Sequence, residues 1–325
     1  MTKRLIGCLL LLLCAACATP QAQQRVQSVI SPGFGRDGFE TSDGTYLPYR
    51  AWLPHGETTA VIVALHGFND YSHAFEIPGE YMRMHGVATY AYDQRGFGSA
   101  PARGLWAGEY NLVHDAADMV NLLHAQYPHV PVYLLGESMG GAVAVAAATA
   151  PGFPKIDGVI LSSPALWGGE TMNPIFRMSL WLFAHTVPGK VMTGQDLHIL
   201  ASDNIDMLRA LGNDSQIIKA TRVDAVWGLV QLMDKGYDNV VKVKVPTLLL
   251  YGAHDQVIPP EPIRKVLQKA PLGTVGAYYP LGYHMLLRDL HGDVPVRDIL
   301  AWMKRPAAPL PSGFDAAAKR FSTKK

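Results

Sequence analysis

Apolar and polar positions settle into a rhythm after residue 36 of this chain. Val61–Leu65 and Val87–Tyr92 are largely apolar runs, the pattern of strands buried on both faces. Val132–Leu135, Ile156–Leu161 and Val245–Tyr251 repeat it, and Val275–Tyr279 is a shorter version. Between them, Glu109–Tyr127 carries Leu112, Ala116, Met119, Leu122 and Leu123 at helical spacing. Helices are also predicted over Ser72–His85 (interrupted at Pro78-Gly79), Ala142–Ala150, beyond Pro259-Pro260, and over Val294–Met303. Phe39–Trp52 reads as a hairpin around Asp43-Gly44. Strand and helix in alternation predict an α/β chain with a doubly wound, mostly parallel sheet. Such sheets bind ligands at the carboxyl ends of their strands. The loops beginning at His66, Asp93, Gly136 and Ser162 open there.

The rhythm breaks between Ala165 and Val241. That stretch is helical in pattern, rich in Met and aromatics (Trp167, Met172, Phe176, Trp181, Trp227, Met233), and lacks a buried-type strand. It reads as a helical cap, 165–241, inserted between a first core segment, 36–164, and a second, 242–304. Residues 18–35 are polar and Gln-rich, with Pro and Gly, and read as a flexible tether. The tail, 305–325, is Pro-rich and then basic, and is expected to fray.

The first 17 residues read as an export signal. Thr2-Lys3-Arg4 is basic, and Leu5–Leu13 is apolar but too short to span a bilayer. Cys14-Ala15-Ala16-Cys17 resembles a bacterial lipobox with Cys17 as the lipidated residue, although Cys14 stands where an aliphatic residue is usual. The expected location is therefore the bacterial cell envelope, as a membrane-anchored lipoprotein. The alternative is a soluble periplasmic or secreted protein cut after Ala16-Cys17-Ala18.

Composition narrows the classes further. The chain has 325 residues, a formal net charge of +1, 49% hydrophobic and 17% charged residues. That describes a globular chain with a sizeable core and gives no reason to expect nucleic acid. All three cysteines (Cys8, Cys14, Cys17) lie in the signal, so the body has no disulfide. No H-E-x-x-H or carboxylate–histidine cluster implies a metal, and no cofactor is implied. Asp93-x-Arg95-Gly96-x-Gly98 lacks the third glycine and the following helix of a dinucleotide loop. It reads as a turn shaping the pocket floor.

One motif carries chemistry. Gly136-Glu137-Ser138-Met139-Gly140 follows a strand and opens a helix, the context of a nucleophile elbow. A serine hydroxyl needs a base, and the base needs an acceptor that fixes its tautomer. The strand-end loops supply Asp255 as the acid and His284 as the base, in the order Ser, Asp, His. Backbone N–H groups of Phe68 and Met139 are expected to form the oxyanion hole. His254 reads as a loop residue, His66 as part of the oxyanion loop, Asp234 and Asp238 as surface charges, and Asp289 as a helix-start residue.

Together these residues resemble the α/β-hydrolase superfamily, and within it the monoacylglycerol lipase/lysophospholipase group. The resemblance rests on Asp43-Gly44, Tyr49–Trp52, His66-Gly67-Phe68, Asp93–Ser99, Gly136–Gly141, Gly252–Asp255 and His284, and covers about Phe39 to Met303. It implies a capped hydrolase without a cofactor that cleaves glyceride or lysolipid esters, with a small lipid ester and the membrane, through Cys17, as its partners. It implies no protein partner. Glu137 departs from the family, where many members carry His, and is not expected to alter the mechanism. Two rivals share the fold: a proline-iminopeptidase-like serine peptidase, whose free amino terminus would need acids such as Glu170 in the cap, and a non-catalytic lipid-binding protein.

Overall fold

The computed structural model describes residues 18–24, 29–168, 171–194 and 199–323. Among these a nine-stranded sheet forms the centre, in the order β1-β2-β3-β5-β4-β6-β7-β10-β11. Strands β1 (Gly33–Phe34), β2 (Gly38–Glu40) and β3 (Tyr46–Trp52) are antiparallel, and β3 runs antiparallel to β5 (Val87–Tyr92). From there β4 (Ala60–Leu65), β6 (Val132–Glu137), β7 (Gly158–Ser162), β10 (Thr247–Gly252) and β11 (Val275–Tyr279) are all parallel. This is the doubly wound, mostly parallel sheet that the alternation predicts, in the α/β-hydrolase arrangement that the resemblance implies.

The central strands have no polar face because both faces are covered. Val61, Val63 and Leu65 of β4 enter one core, while Ala60, Ile62 and Ala64 enter the other, as a two-residue period requires. The first core is roofed by α2 (Glu109–Gln126), α3 (Met139–Thr149) and α7 (Pro260–Lys269), through Met119, Val143 and Ile263. The second is closed by α1 (Glu76–Arg83) and α8 (Asp293–Lys304), through Met82, Ile299 and Trp302. The expected break at Pro78-Gly79 lies elsewhere. A 3-10 turn, Ser72–Phe75, precedes α1, and Pro78 sits in the helix's first turn, where a missing N–H costs nothing.

Among the described residues the cap has three α-helices, α4 (Pro174–Thr186), α5 (Ile205–Asn213) and α6 (Val223–Asn239). It also has a small ribbon that the sequence pattern does not show: β8 (Val191–Thr193) pairs antiparallel with β9 (Ala220–Arg222), both largely solvent-facing. Helix α6 lies close to α3, and a Cβ at Gly236 would stand 3.4 Å from Ala142 Cβ. Asp234 is not a surface charge as expected; it pairs with Arg177 and ties α6 to α4. Asp238 is exposed.

Two terminal expectations need correction. Residues 18–24 do not hang free. Ala18 N donates to His185 O (3.0 Å), Gln21 N to Asp224 Oδ2 (3.2 Å), and Gln23 N to Trp106 O (2.9 Å). Arg222 adds a bond to Gln21 Oε1 at 3.0 Å, so the segment straps the cap to the core. The tail does not fray either. It forms α9 (Phe314–Thr323), whose Phe321 stacks on Tyr278 with ring centroids 4.6 Å apart.

Candidate active site

Ser138 sits between β6 and α3 with φ 54° and ψ −117°. A side chain in the left-handed region is strained, at a cost of about 1–3 kcal/mol, and holds only where its surroundings fix it. The surroundings here are tight. Ser138 N donates to Ser162 O (3.0 Å), and Ser138 O accepts from Gly141 N (2.9 Å) and Ala165 N (2.8 Å). A Cβ at Gly140 would fall on Leu65 O and one at Gly136 on Gly140 O, so the elbow closes only over glycine at those positions. Glu137 before it is buried, whereas Ser138 is half-exposed, its side chain brought out of the core at the sheet's carboxyl edge.

Asp255 and His284 leave the same edge after β10 and β11. His284 Nδ1 lies 2.9 Å from Asp255 Oδ2. The other oxygen, Oδ1, accepts from the amides of Val257 (2.8 Å) and Ile258 (2.9 Å), which fixes the carboxylate plane. An imidazole whose Nδ1–H is held this way presents Nε2 as its basic nitrogen. Ser138 Oγ and His284 Nε2 are not hydrogen-bonded to each other in this resting geometry; such bonds often tighten only with substrate in place. The two loops are nonetheless linked, since Arg288, four residues beyond His284, hydrogen-bonds Glu137 beside Ser138.

The His66 loop lies against the elbow, where a Cβ on Gly67 would stand 3.4 Å from Ser138 Cβ. The amides of Phe68 and Met139 have no acceptor among the described residues. His66 itself is fully buried. Its Nε2 accepts from Gln94 N (2.9 Å) and its Nδ1 lies 2.8 Å from Gly67 O, which places the proton on Nδ1. Burial pushes its pKa below the ordinary imidazole value, so it is a neutral strut that shapes the loop. His254 stacks on Tyr283 at 5.2 Å and is exposed.

Other residues hold the site in ways the sequence does not reveal. Asp289 is not a helix-start residue, since α8 begins at Asp293. It is buried, accepts from Ser202 Oγ (2.6 Å) and Tyr283 N (2.7 Å), and so pins the His284 loop to the cap segment just before α5. Burial raises its pKa to about 6. Asn69 Nδ2 donates to Thr221 Oγ1, and Ile218 N to Asn69 O (3.0 Å), joining the oxyanion loop to the cap. Arg95 of the Asp93 turn is an internal staple. It reaches Asp115 of α2 and Asp43 of the hairpin, while Asp93 takes the amides of Ser72 and Ser99.

The seam between Phe68 and the cap is tightly packed. Phe68, Phe97 and Trp106 meet Ile218, Thr221 and Ala225 of the cap around a gap of only about 10 Å³. A cavity of about 700 Å³ opens at the opposite sheet edge, around Lys244, Gly273 and Pro306, away from the chemistry. Among the described residues no group of three His, Cys, Asp or Glu side chains could hold a metal ion. Cys17 and Glu170 lie outside the described residues.

The sequence profile of the family described as "Serine aminopeptidase, S33" matches residues 56–291. The chain belongs to that family. Among similar curated proteins is the monoglyceride lipase of Rattus norvegicus, 26% identical over 77% of this chain and 83% of that one. Another is the monoacylglycerol lipase of Mycolicibacterium smegmatis, 23% identical over 85% and 99%. A solved structure of a soluble variant of monoglyceride lipase from Saccharomyces cerevisiae superposes with a TM-score of 0.72, at 21% identity, over 88% of this chain and 99% of that one. The matched region of this S33 family member takes in Phe68, Ser138, Met139, Asp255 and His284.

Proposed function

We propose that this protein is a serine hydrolase that cleaves carboxylic esters of lipids, monoacylglycerols or lysophospholipids, through an acyl-enzyme on Ser138. The observation that carries the reading is Ser138 held at φ 54° on the edge that also bears the His284–Asp255 pair. His284 Nε2 takes the proton of Ser138 Oγ as the oxygen attacks the ester carbonyl. Asp255 holds Nδ1–H and favours the imidazolium that forms. The amides of Phe68 and Met139 receive the oxyanion. His284 then protonates the leaving alcohol, and water cleaves the acyl-enzyme by the same route.

A lipid substrate is supported by the lipases among the relatives and by the cap. On α4, Leu180 and Ala184 face inward, while Ile175, Phe176, Met178, Trp181, Leu182 and Phe183 are each at least 49% exposed. The strap supports the anchor reading. It brings Ala18, the neighbour of Cys17, to His185 at the end of that apolar helix. A lipid on Cys17 would hold the cap against the bilayer in the cell envelope.

The family's description favours a second reading, a serine aminopeptidase. Holding a free amino terminus takes an unpaired acid in the cap. Among the described acids of the cap, Asp206, Asp214, Asp224 and Asp234 are engaged with Arg209, Tyr71, Arg222 and Arg177, while Asp203 accepts from Leu290 N and Asp238 is exposed. The test is one panel on purified protein: monoacylglycerol, lysophospholipid, an aminoacyl amide and a fluorophosphonate label, with Ser138→Ala as control. Ester turnover lost in the control supports the proposal. Amide turnover without ester turnover favours the peptidase, and no label on Ser138 overturns both.

A further inference from the structure

Three loops of the site meet on one buried cation. Asp70 belongs to the His66 loop, Glu137 immediately precedes Ser138, and Arg288 follows His284 by four residues. Arg288 Nη2 donates to Asp70 Oδ2 at 2.9 Å and to Glu137 Oε1, across 218 and 151 residues of sequence. The three side chains are at most 8% exposed. Asp70 Oδ1 is occupied by the amide of Tyr71 (2.8 Å), which ties the carboxylate to its own loop.

A buried ion cluster of this kind is poor as a stabiliser, because desolvation offsets much of the attraction and apolar side chains fill such a volume as well. Its geometry gives it another use. The guanidinium is the point where the oxyanion loop, the nucleophile strand and the base loop are held at fixed spacing. It also keeps a carboxylate at Glu137 within electrostatic reach of His284.

We propose that Arg288 is a positioning residue that locks these three loops in register, and that Glu137 favours the imidazolium formed when His284 takes the serine proton. The proposal rests on the reading of Ser138 and His284 as nucleophile and base. Glu137 is faced by Arg288, Asp70, His284 and Asp289. His284 has Asp255 on its other nitrogen. Burial pushes the Glu137 carboxyl up, and the Arg288 guanidinium bonded to it opposes that. Removing the negative charge while keeping the oxygen, as Glu137→Gln does, makes the imidazolium harder to form during attack.

The test is the rate of fluorophosphonate labelling of Ser138 as a function of pH, corrected for folded protein by a parallel Tm measurement. It needs no knowledge of the natural substrate. Glu137→Gln is expected to move the acid limb down by about one pH unit and to lower the plateau roughly tenfold. Arg288→Met is expected to lower the plateau more, and Arg288→Lys to recover part of the loss, as a cation of different shape can. A Glu137→Gln profile coincident with wild type overturns the proposal. So does an Arg288→Met loss that disappears after correction for the folded fraction. A wild-type protein that does not label on Ser138 instead overturns the parent reading, and the proposal with it.

Discussion

Asn69 Nδ2 lies 2.7 Å from Thr221 Oγ1, and that bond crosses the seam between the oxyanion loop and the cap. Asn69 has φ 66°, a conformation that Asn tolerates and Gly prefers. Asn69→Gly therefore removes the bond without straining the backbone. One such bond is worth about 0.5–1.5 kcal/mol, so kcat/KM for a long-chain monoacylglycerol should fall between about twofold and tenfold. Thr221→Val should give the same loss, and the double variant no further loss, in a double-mutant cycle on purified protein.

The elbow predicts a trade between stability and activity. Ser138→Gly removes the strained side chain and should raise Tm by a few degrees, on the order of 1 kcal/mol, measured by calorimetry. Ester hydrolysis should fall by about four orders of magnitude or more in the same protein. A Tm at or below wild type would mean that the turn carries no strain.

Asp289 gives a pH-dependent effect with a definite sign. Its folded pKa, about 6, lies above the ordinary 3.8. The folded state therefore prefers the neutral carboxyl. The stabilisation this brings is complete below about pH 4 and is lost as pH rises through 6. Asp289→Asn abolishes that loss. Measured by urea unfolding, the stability of the variant relative to wild type should be about 1 kcal/mol more favourable at pH 8 than at pH 4, after allowance for solvent screening.

Arg95 is a costly side chain to remove. Its guanidinium is 4% exposed and serves Asp43 and Asp115 together. Arg95→Ala leaves the buried Asp115 and the half-buried Asp43 without their cation and should cost about 3–5 kcal/mol in urea unfolding. Arg95→Lys should recover only part, since an ammonium cannot match the forked contacts to Asp115.

The anchor reading predicts fractionation. Wild-type protein expressed in a bacterial host should sediment with membranes, and Cys17→Ser should move it to the soluble envelope fraction with its specific activity intact. Equal sedimentation of both would remove Cys17 from the account.

The readable parts of the sequence were those whose signal is local. The Ser138 elbow lies between a continuous apolar strand and a helix that is apolar all round, both adjacent to it in the chain. Asp255 and His284 follow strands at the expected edge, and the structure sets their side chains 2.9 Å apart. What stayed hidden depends on partners far along the chain. Gln21 meets Asp224 203 residues away, and nothing in a polar, Gln-rich stretch signals that bond. Arg288 and Asp70 carry no motif, and Glu137 stood out only as a departure from the family pattern. The ribbon β8–β9 is solvent-facing and lacks the apolar period of a core strand. In the tail, Leu310, Ala318 and Phe321 are the buried positions, too few to outweigh the prolines around them.

That tail helix shapes how the molecule meets others of its kind. Phe314 at its start packs on Tyr279 at one face of the sheet, and Phe321 near its end stacks on Tyr278 at the other, so α9 passes over the outermost strand. An outer strand left bare offers its spare backbone donors and acceptors to any neighbouring chain. Trimming the chain at residue 304 would uncover β11 and turn a self-contained particle into one that adds to copies of itself, strand beside strand.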